Sequence, residues 1–335
     1  MRRWIGKAFC WSAILVSLLG ASACSRAPAV LDPHGPAAVQ ISGLSWLLIG
    51  LGTLVYVGVS GFLLAALFRR RQAQRAVGVS RENGGPPIVI WGGIVMPVVV
   101  LLIVFGLTLN TLIALSAPEH PDELVINVIG HQWWWEVEYP AQEILTANEI
   151  HIPVGQPVRI RLMAEDVIHS FWVPQLHGKL DMIPGQTNTF RIQADTPGAY
   201  RGLCAEFCGI QHARMLFLVV AKAPADFVAW VETQRAPAAA PTTTLAEQGQ
   251  ALFLDSTCAQ CHAIAGTTAA GQLGPDLTHF ASRSEIAAGV LENNRTNLAT
   301  WITDPQKIKR GSLMPATLLT VTELEALLAY LESLK

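Results

Sequence analysis

The sequence predicts a multidomain chain: a transmembrane two-helix hairpin, then an all-β Greek-key domain, then an all-α domain. Three observations carry this. Two long apolar runs hold no charged residue. The middle of the chain alternates apolar and polar residues with period two. Residues after 244 return to helical spacing. Of 335 residues, 51% are hydrophobic and 14% charged, whereas soluble domains are roughly a quarter charged. A formal net charge of −2 offers no footprint for a nucleic acid.

The N-terminus reads as a signal peptide over residues 1–23. Arg2, Arg3 and Lys7 start it, Ala8 to Gly20 form its apolar core, and Ala21-Ser22-Ala23 is a cleavage site. Cys24 follows, and the segment from Leu19 resembles a bacterial lipoprotein box. Ala21 stands where leucine is commoner, so lipidation of Cys24 and plain cleavage before it both stay open.

The hairpin occupies 41–117. Ile41 to Phe68 and Ile88 to Ala117 are free of charge, and each exceeds the ~20 residues that span a bilayer's hydrocarbon. Pro97 is expected to kink the second helix. Arg69, Arg70, Arg71, Arg75 and Arg81 face a single acid, Glu82. The positive-inside rule therefore puts loop 69–87 in the cytoplasm. Everything past Pro118 then lies on the periplasmic side of a bacterial inner membrane, as the export signal also requires.

Residues 118–235 form the β domain. Val158-Arg159-Ile160-Arg161-Leu162 alternates as a half-buried strand does, and Leu124 to Ile129, Trp133 to Tyr139, Thr189 to Ile192 and Met215 to Val220 are further strands. Pro153-Val154-Gly155, Pro184-Gly185 and Pro197-Gly198 supply turns. Many short strands with such turns point to a sandwich or small barrel. Ala236 to Thr244 is a linker of Ala, Pro and Thr. The last domain runs from 245 to 335. Thr322 and Glu325 are expected to cap its final helix, with Leu324, Leu327, Leu328, Leu331 and Leu334 on one face.

Cys10 and Cys24 belong to the leader; the other four of six cysteines form two close pairs. Cys204 and Cys208 are followed by His212 and Met215, with His169 upstream. Two thiolates, two imidazoles and a thioether make a soft donor set that suits copper in electron transfer, whereas calcium and magnesium prefer oxygen. Two cysteines four apart on one loop can each bridge a pair of copper ions, and sharing one electron's charge over that cluster keeps its geometry steady. A Cys204–Cys208 disulfide and a zinc site compete with this reading.

Cys258-Ala259-Gln260-Cys261-His262 is the c-type haem attachment pattern: both thiols bond the haem and His262 ligates its iron. Met314 is the expected sixth ligand, because it is the only methionine downstream and methionine opposite histidine raises the potential. His279 is the rival, and is expected to cover the haem edge.

Residues 41 to 220 resemble subunit II of the haem-copper cytochrome c oxidases. The resemblance rests on Gly130-His131-Gln132-Trp133-Trp134-Trp135, His169-Ser170-Phe171, Lys179-Leu180-Asp181-Met182-Ile183-Pro184-Gly185 and the cysteine loop. It implies a cupredoxin-like domain with a binuclear copper centre. The implied ligands are His169, Cys204, Cys208, His212, Met215 and the backbone carbonyl of Glu206. The Glu206 side chain is implied to reach a magnesium ion at the border with subunit I, and Trp133 to be where electrons enter. Residues 245 to 335 resemble a class I cytochrome c, with Gly249, Phe253, Gly274-Pro275 and Trp301 in matching places. Pro275 is implied to orient the proximal histidine.

Together these resemblances imply a proton-translocating cytochrome c oxidase. Its subunit II would pass electrons from its own haem c through copper to subunit I, with subunit III, membrane lipid and an external donor as partners. One departure is Ile88, three residues before Trp91, where many members carry a glutamate that admits protons. The remaining histidines, His34, His120, His131, His151 and His177, read as surface or supporting groups. Three rivals stay open: the copper subunit of a nitric oxide reductase, a membrane-bound electron carrier, and a quinol oxidase subunit, the last opposed by the copper ligands.

Overall fold

The computed structural model describes residues 29–73, 85–116 and 123–335. The signal peptide, Cys24, Arg75, Arg81, Glu82 and His120 lie outside these residues.

Helix α1 (Pro36–Ala73) and a second apolar segment form the hairpin. The spans Pro36–Arg69 and Trp91–Leu115 have mean hydropathies of 2.1 and 2.7 and leave their most apolar stretches unburied, as lipid-facing helices should; only the N-terminal end of the first, at Ala38 and Ser42, is buried. The second segment is composite: α2 (Gly85–Ile90), a π-helical turn (Trp91–Val95), then α3 (Met96–Leu115). Pro97 sits in the first turn of α3, where its missing N–H costs least. The expected kink thus takes the form of a widened π turn directly before the proline. The segment ahead of α1 is stitched to the β domain. His34 N–H donates to the Gln175 carbonyl at 2.7 Å, and Asp195 N–H to the His34 carbonyl at 2.8 Å.

Ten strands follow: β1 (Leu124–His131), β2 (Trp134–Tyr139), β3 (Ile144–Ala147), β4 (Glu149–Pro153), β5 (Val158–Ala164), β6 (His169–Trp172), β7 (Leu180–Met182), β8 (Asn188–Ile192), β9 (Gly198–Cys204) and β10 (Leu216–Lys222). They build two five-stranded sheets, ordered β3-β2-β1-β5-β8 and β4-β10-β9-β6-β7. The chain crosses to the second sheet at β4, returns to the first at β5 and crosses again at β6, so β1 lies parallel to β5 and β4 parallel to β10. Alternation explains the core. Ile126 and Val128 on β1, Trp135, Val137 and Tyr139 on β2, and Phe217 and Val219 on β10 all turn inward. Trp135 packs edge-on against Phe171 and Phe217; burying such a side chain contributes about 1.5–3 kcal/mol. The β domain closes with a helix the sequence reading did not separate, α4 (Pro224–Arg235), whose Trp230 stacks on His151 with ring centroids 4.3 Å apart.

The last domain holds α5 (Thr244–Asp255), the short α6 (Cys258–Cys261), a hairpin of β11 (Glu285–Ile286) and β12 (Leu291–Glu292), α7 (Arg295–Thr303), α8 (Pro305–Ile308) and α9 (Val321–Ser333). Helices α5 and α9 cross at Gly249, where a Cβ would sit 2.0 Å from the Ala326 carbonyl oxygen. The capping box of α9 is Thr320 with Glu323, not Thr322 with Glu325. Both pairs have the required spacing, but the helix begins at Val321, and Glu325 is drawn outward into an ion pair with Arg295.

The two globular domains are joined through polar contacts. Glu149 Oε1 accepts from the Ser284 N–H at 2.7 Å and its Oγ at 2.5 Å. Arg201 forms a bidentate pair with Glu285. The Leu216 N–H donates to the Ala288 carbonyl at 3.0 Å.

Candidate metal and haem centres

The sulfur and imidazole groups converge at one end of the second sheet. His169 opens β6, Cys204 closes β9, and the next loop carries Cys208 and ends in a 3-10 turn, His212–Arg214, before Met215 and β10. Adjacent β6 and β9 set Phe171 opposite Cys204, which brings His169 beside the first thiol. His169 Nδ1 lies 3.9 Å from Cys204 Sγ, and the two thiol sulfurs are 3.8 Å apart. His212 Nδ1 and Met215 Sδ each lie 3.8 Å from Cys208 Sγ, and the Glu206 carbonyl is 3.2 Å from Cys204 Sγ. Ligand atoms of His169, Cys204 and Cys208 fall within 4.8 Å of one another, all three residues being buried.

This donor set fits a metal cluster better than a disulfide, because bonded sulfurs stand only ~2.05 Å apart. Two buried thiols this close also titrate as a pair. The hydrogen bond between the two thiols pulls the Cys204 thiol well down and holds that of Cys208 up. Metal binding displaces both protons. His169 is steadied from behind, its Nε2 lying 2.8 Å from Asp166 Oδ1. Burial alone would lower its pKa, but bonds to Cys204 and Asp166 outweigh that and raise it. The carboxylate thereby directs Nδ1 toward the sulfur cluster.

The tryptophan run resolves by alternation. Trp135 is fully buried, Trp134 stacks on His131 with ring centroids 4.3 Å apart, and Trp133 leans on the copper-loop side. The Trp133 indole N–H donates to the Cys208 carbonyl at 3.0 Å, and Gln132 Nε2 donates to the same oxygen at 2.7 Å. Glu206 turns its side chain away from the sulfurs, and Lys179 Nζ donates to it at 2.6 Å.

A cavity of about 400 Å³ opens in the helical domain, lined by Cys258, Cys261, His262, Met314, Leu298 and Trp301. Its residues suit a covalently held haem. Both thiols are free and only partly buried. His262 Nδ1 donates to the Pro275 carbonyl at 2.7 Å, which fixes the tautomer and leaves Nε2 free for iron. Gly274 keeps the proximal face clear, since a Cβ there would meet the imidazole at 2.6 Å. His279 is not part of this cavity. Its two ring nitrogens bond the carbonyls of Lys335 and Ala236 at 2.9 Å each, so it ties the linker to the C-terminus and does not cover the haem edge. Gln132, Trp133 and Trp134 of the β domain complete the wall.

Family profiles match both domains: "Cytochrome C oxidase subunit II, periplasmic domain" over residues 141–222, and "Cytochrome c" over 246–335. The cytochrome c oxidase subunit 2 of Alkalihalophilus pseudofirmus is 40% identical over 315 residues, covering 91% of this chain and 90% of that protein. The chain belongs to the cytochrome c oxidase subunit II family. A cytochrome c oxidase subunit 2 of Bacillus subtilis is 32% identical over 329 residues, covering 91% of each chain. A quinol oxidase subunit 2 of the same organism is 32% identical over 231 residues, covering 66% of this chain and 70% of that one. This subunit II is a membrane protein with a fused cytochrome c domain. Family membership implies copper in the β domain and haem in the helical one.

Several residues that shape these centres went unremarked in the sequence. Asp166 had a signal, lying three residues before His169. Lys309 had none, and Gln132, though part of the Gly130–Trp135 motif, had none for this contact, because each acts through a main-chain oxygen distant in sequence.

Proposed function

We propose that this subunit II passes single electrons from a haem c, through Trp133, to a binuclear copper centre. From there they go to subunit I, where oxygen becomes water with proton pumping. Bound haem and copper supply the one-electron couples. Cys258 and Cys261 would attach the haem covalently, and His262 and Met314 would hold its iron. Cys204, Cys208, His169, His212, Met215 and the Glu206 carbonyl would hold the copper. Buried ligands on two adjacent strands resist movement on a change of charge, which keeps the barrier to transfer low.

The observation that carries this reading is the position of Trp133. Its ring walls the cavity beside the haem-attachment residues, and its N–H bonds the carbonyl of Cys208. One side chain thus touches both centres. Tethering the donor in the same chain raises its effective concentration at Trp133. Phe207, exposed at the tip of the copper loop, is offered to subunit I. A magnesium ion at Glu206 would require Lys179 to release that carboxylate. Subunit III, membrane lipid and an external donor complete the assembly, and the basic loop 69–87 faces the cytoplasm. The buried thiols favour this over a quinol oxidase role.

Purification of the intact complex, with metal, haem and oxygen-consumption analysis, tests the reading. It expects two coppers for each covalent haem of this chain, together with oxygen uptake. Matured protein that contains iron, lacks copper and leaves an oxidase core inert would refute it.

A further inference from the structure

Lys309, at the end of α8, is 3% exposed and lines the wall of the haem cavity. Its Nζ donates to the Trp133 carbonyl at 2.6 Å and to the Ala287 carbonyl at 3.2 Å. One acceptor belongs to the β domain and the other to the helical domain. Among the described residues it forms no ion pair with a carboxylate. Burying an ammonium group on two carbonyls is costly, and burial drives its pKa down to about 7. The surroundings are built to receive it. Ala287 and Ala288 both adopt left-handed backbone, with φ of 54° and 57°, a conformation that side-chain-bearing residues hold only when neighbours enforce it. That turn presents the Ala287 carbonyl to Lys309 and the Ala288 carbonyl to Leu216. On either side of Lys309, Arg214 donates to the Ile308 carbonyl and Gln211 Nε2 to the Arg310 carbonyl at 2.8 Å.

We propose that Lys309 is a positioning residue: its amine pins the main chain of Trp133 to the haem domain, holding the haem cavity and the copper loop in register. This rests on the relay described above and adds what keeps the relay assembled. The contact lies on the carbonyl of the same tryptophan whose indole bonds Cys208, so it adds to the direct bonds of Gln211 and Arg214 a coupling between the helical domain and the copper loop that runs through Trp133 itself. With the pin in place, the domain docks as one body and the tryptophan stays covered. Without it, the remaining interdomain bonds still join the domains, but the edge at Trp133 opens more often and must close again before transfer.

The test uses the intact holoprotein carrying Lys309→Met, which keeps the apolar stem and removes the donor. Amide hydrogen exchange in residues 131–135 and 285–289 should accelerate roughly tenfold, the change that corresponds to losing one charge-assisted hydrogen bond. Flash-induced haem-to-copper transfer should slow by about the same factor and become sensitive to added glycerol, with haem and copper content unchanged. Lys309→Arg, which keeps a cationic donor, should recover most of both. Unchanged exchange and transfer in Lys309→Met would overturn the proposal, as would slowing with no change in exchange and no glycerol dependence. Should Lys309→Met yield no holoprotein, Lys309→Gln is read by the same criteria. If the unaltered protein shows no haem-to-copper transfer while exchange still depends on Lys309, the relay falls and the pin stands.

Discussion

Asp166 shows how a carboxylate outside the ligand set controls the copper site. It holds His169 Nε2 at 2.8 Å and also accepts the main-chain N–H of Gln132 at 2.6 Å. One carboxylate therefore aims His169, the proposed copper ligand, and fixes the strand end that carries Trp133. Its own pKa is lowered, because bonds from His169, Val167 and Gln132 outweigh the effect of burial. Asp166→Ala should weaken copper binding by about 10–100-fold, read by competition with a chelator of known affinity, while covalent haem stays complete. Unchanged affinity would remove Asp166 from the account. Trp133 is the second such residue. Trp133→Leu should slow haem-to-copper transfer with both cofactors retained, and unchanged flash kinetics would reject its role. The proposed ligand residues stood out in the sequence because cysteine, histidine and methionine at short spacings have few other uses together. Gln132 and Lys309 were not legible in these roles, since amide and basic side chains are common at surfaces and their partners lie elsewhere in the sequence; Asp166 had only its nearness to His169 as a signal.

At the scale of elements, local rules left two competing solutions and packing chose between them. Thr320 with Glu323 and Thr322 with Glu325 satisfy the same capping pattern, and the ion pair of Arg295 with Glu325 and Glu332 decides for the former. Thr320→Ala should destabilise the helical domain by about 1 kcal/mol, whereas Thr322→Ala should leave its thermal midpoint nearly unmoved. Equal effects would contradict the assignment. Long apolar runs and alternating strands were readable because their periods are strong. Helix α4 was not, because its apolar residues run consecutively from Phe227 to Val231 without helical spacing, and the helix gains its stability from Trp230 packing on His151 and Tyr139. The short strands β6 and β7 and the β11–β12 turn were hidden for a related reason: two to four residues carry no period. The all-α expectation for the last domain holds apart from that small hairpin.

Across the whole molecule, the two globular domains behave as one unit because polar groups from each complete the other. Glu149 is the clearest case: it is buried on β4, yet accepts both bonds of Ser284 from the helical domain. Burial would raise its pKa, but bonds from His151 and Ser284 outweigh this and hold it below the ordinary 4.5. A depressed carboxylate stabilises docking above its ordinary value and loses that contribution as pH falls through the depressed one. Small-angle scattering from about pH 6 down to about pH 3 should therefore show the domains separating. Glu149→Gln should flatten that step; an identical step in the variant would contradict the assignment. None of this docking was visible in the sequence, where residues 236–244 suggested only a tether. Time-resolved absorbance after flash reduction of the haem in the intact protein measures the relay itself. Loss of reduced haem should match gain of reduced copper, electron for electron, before oxygen is added. Haem that stays reduced beside fully loaded, oxidised copper would contradict it.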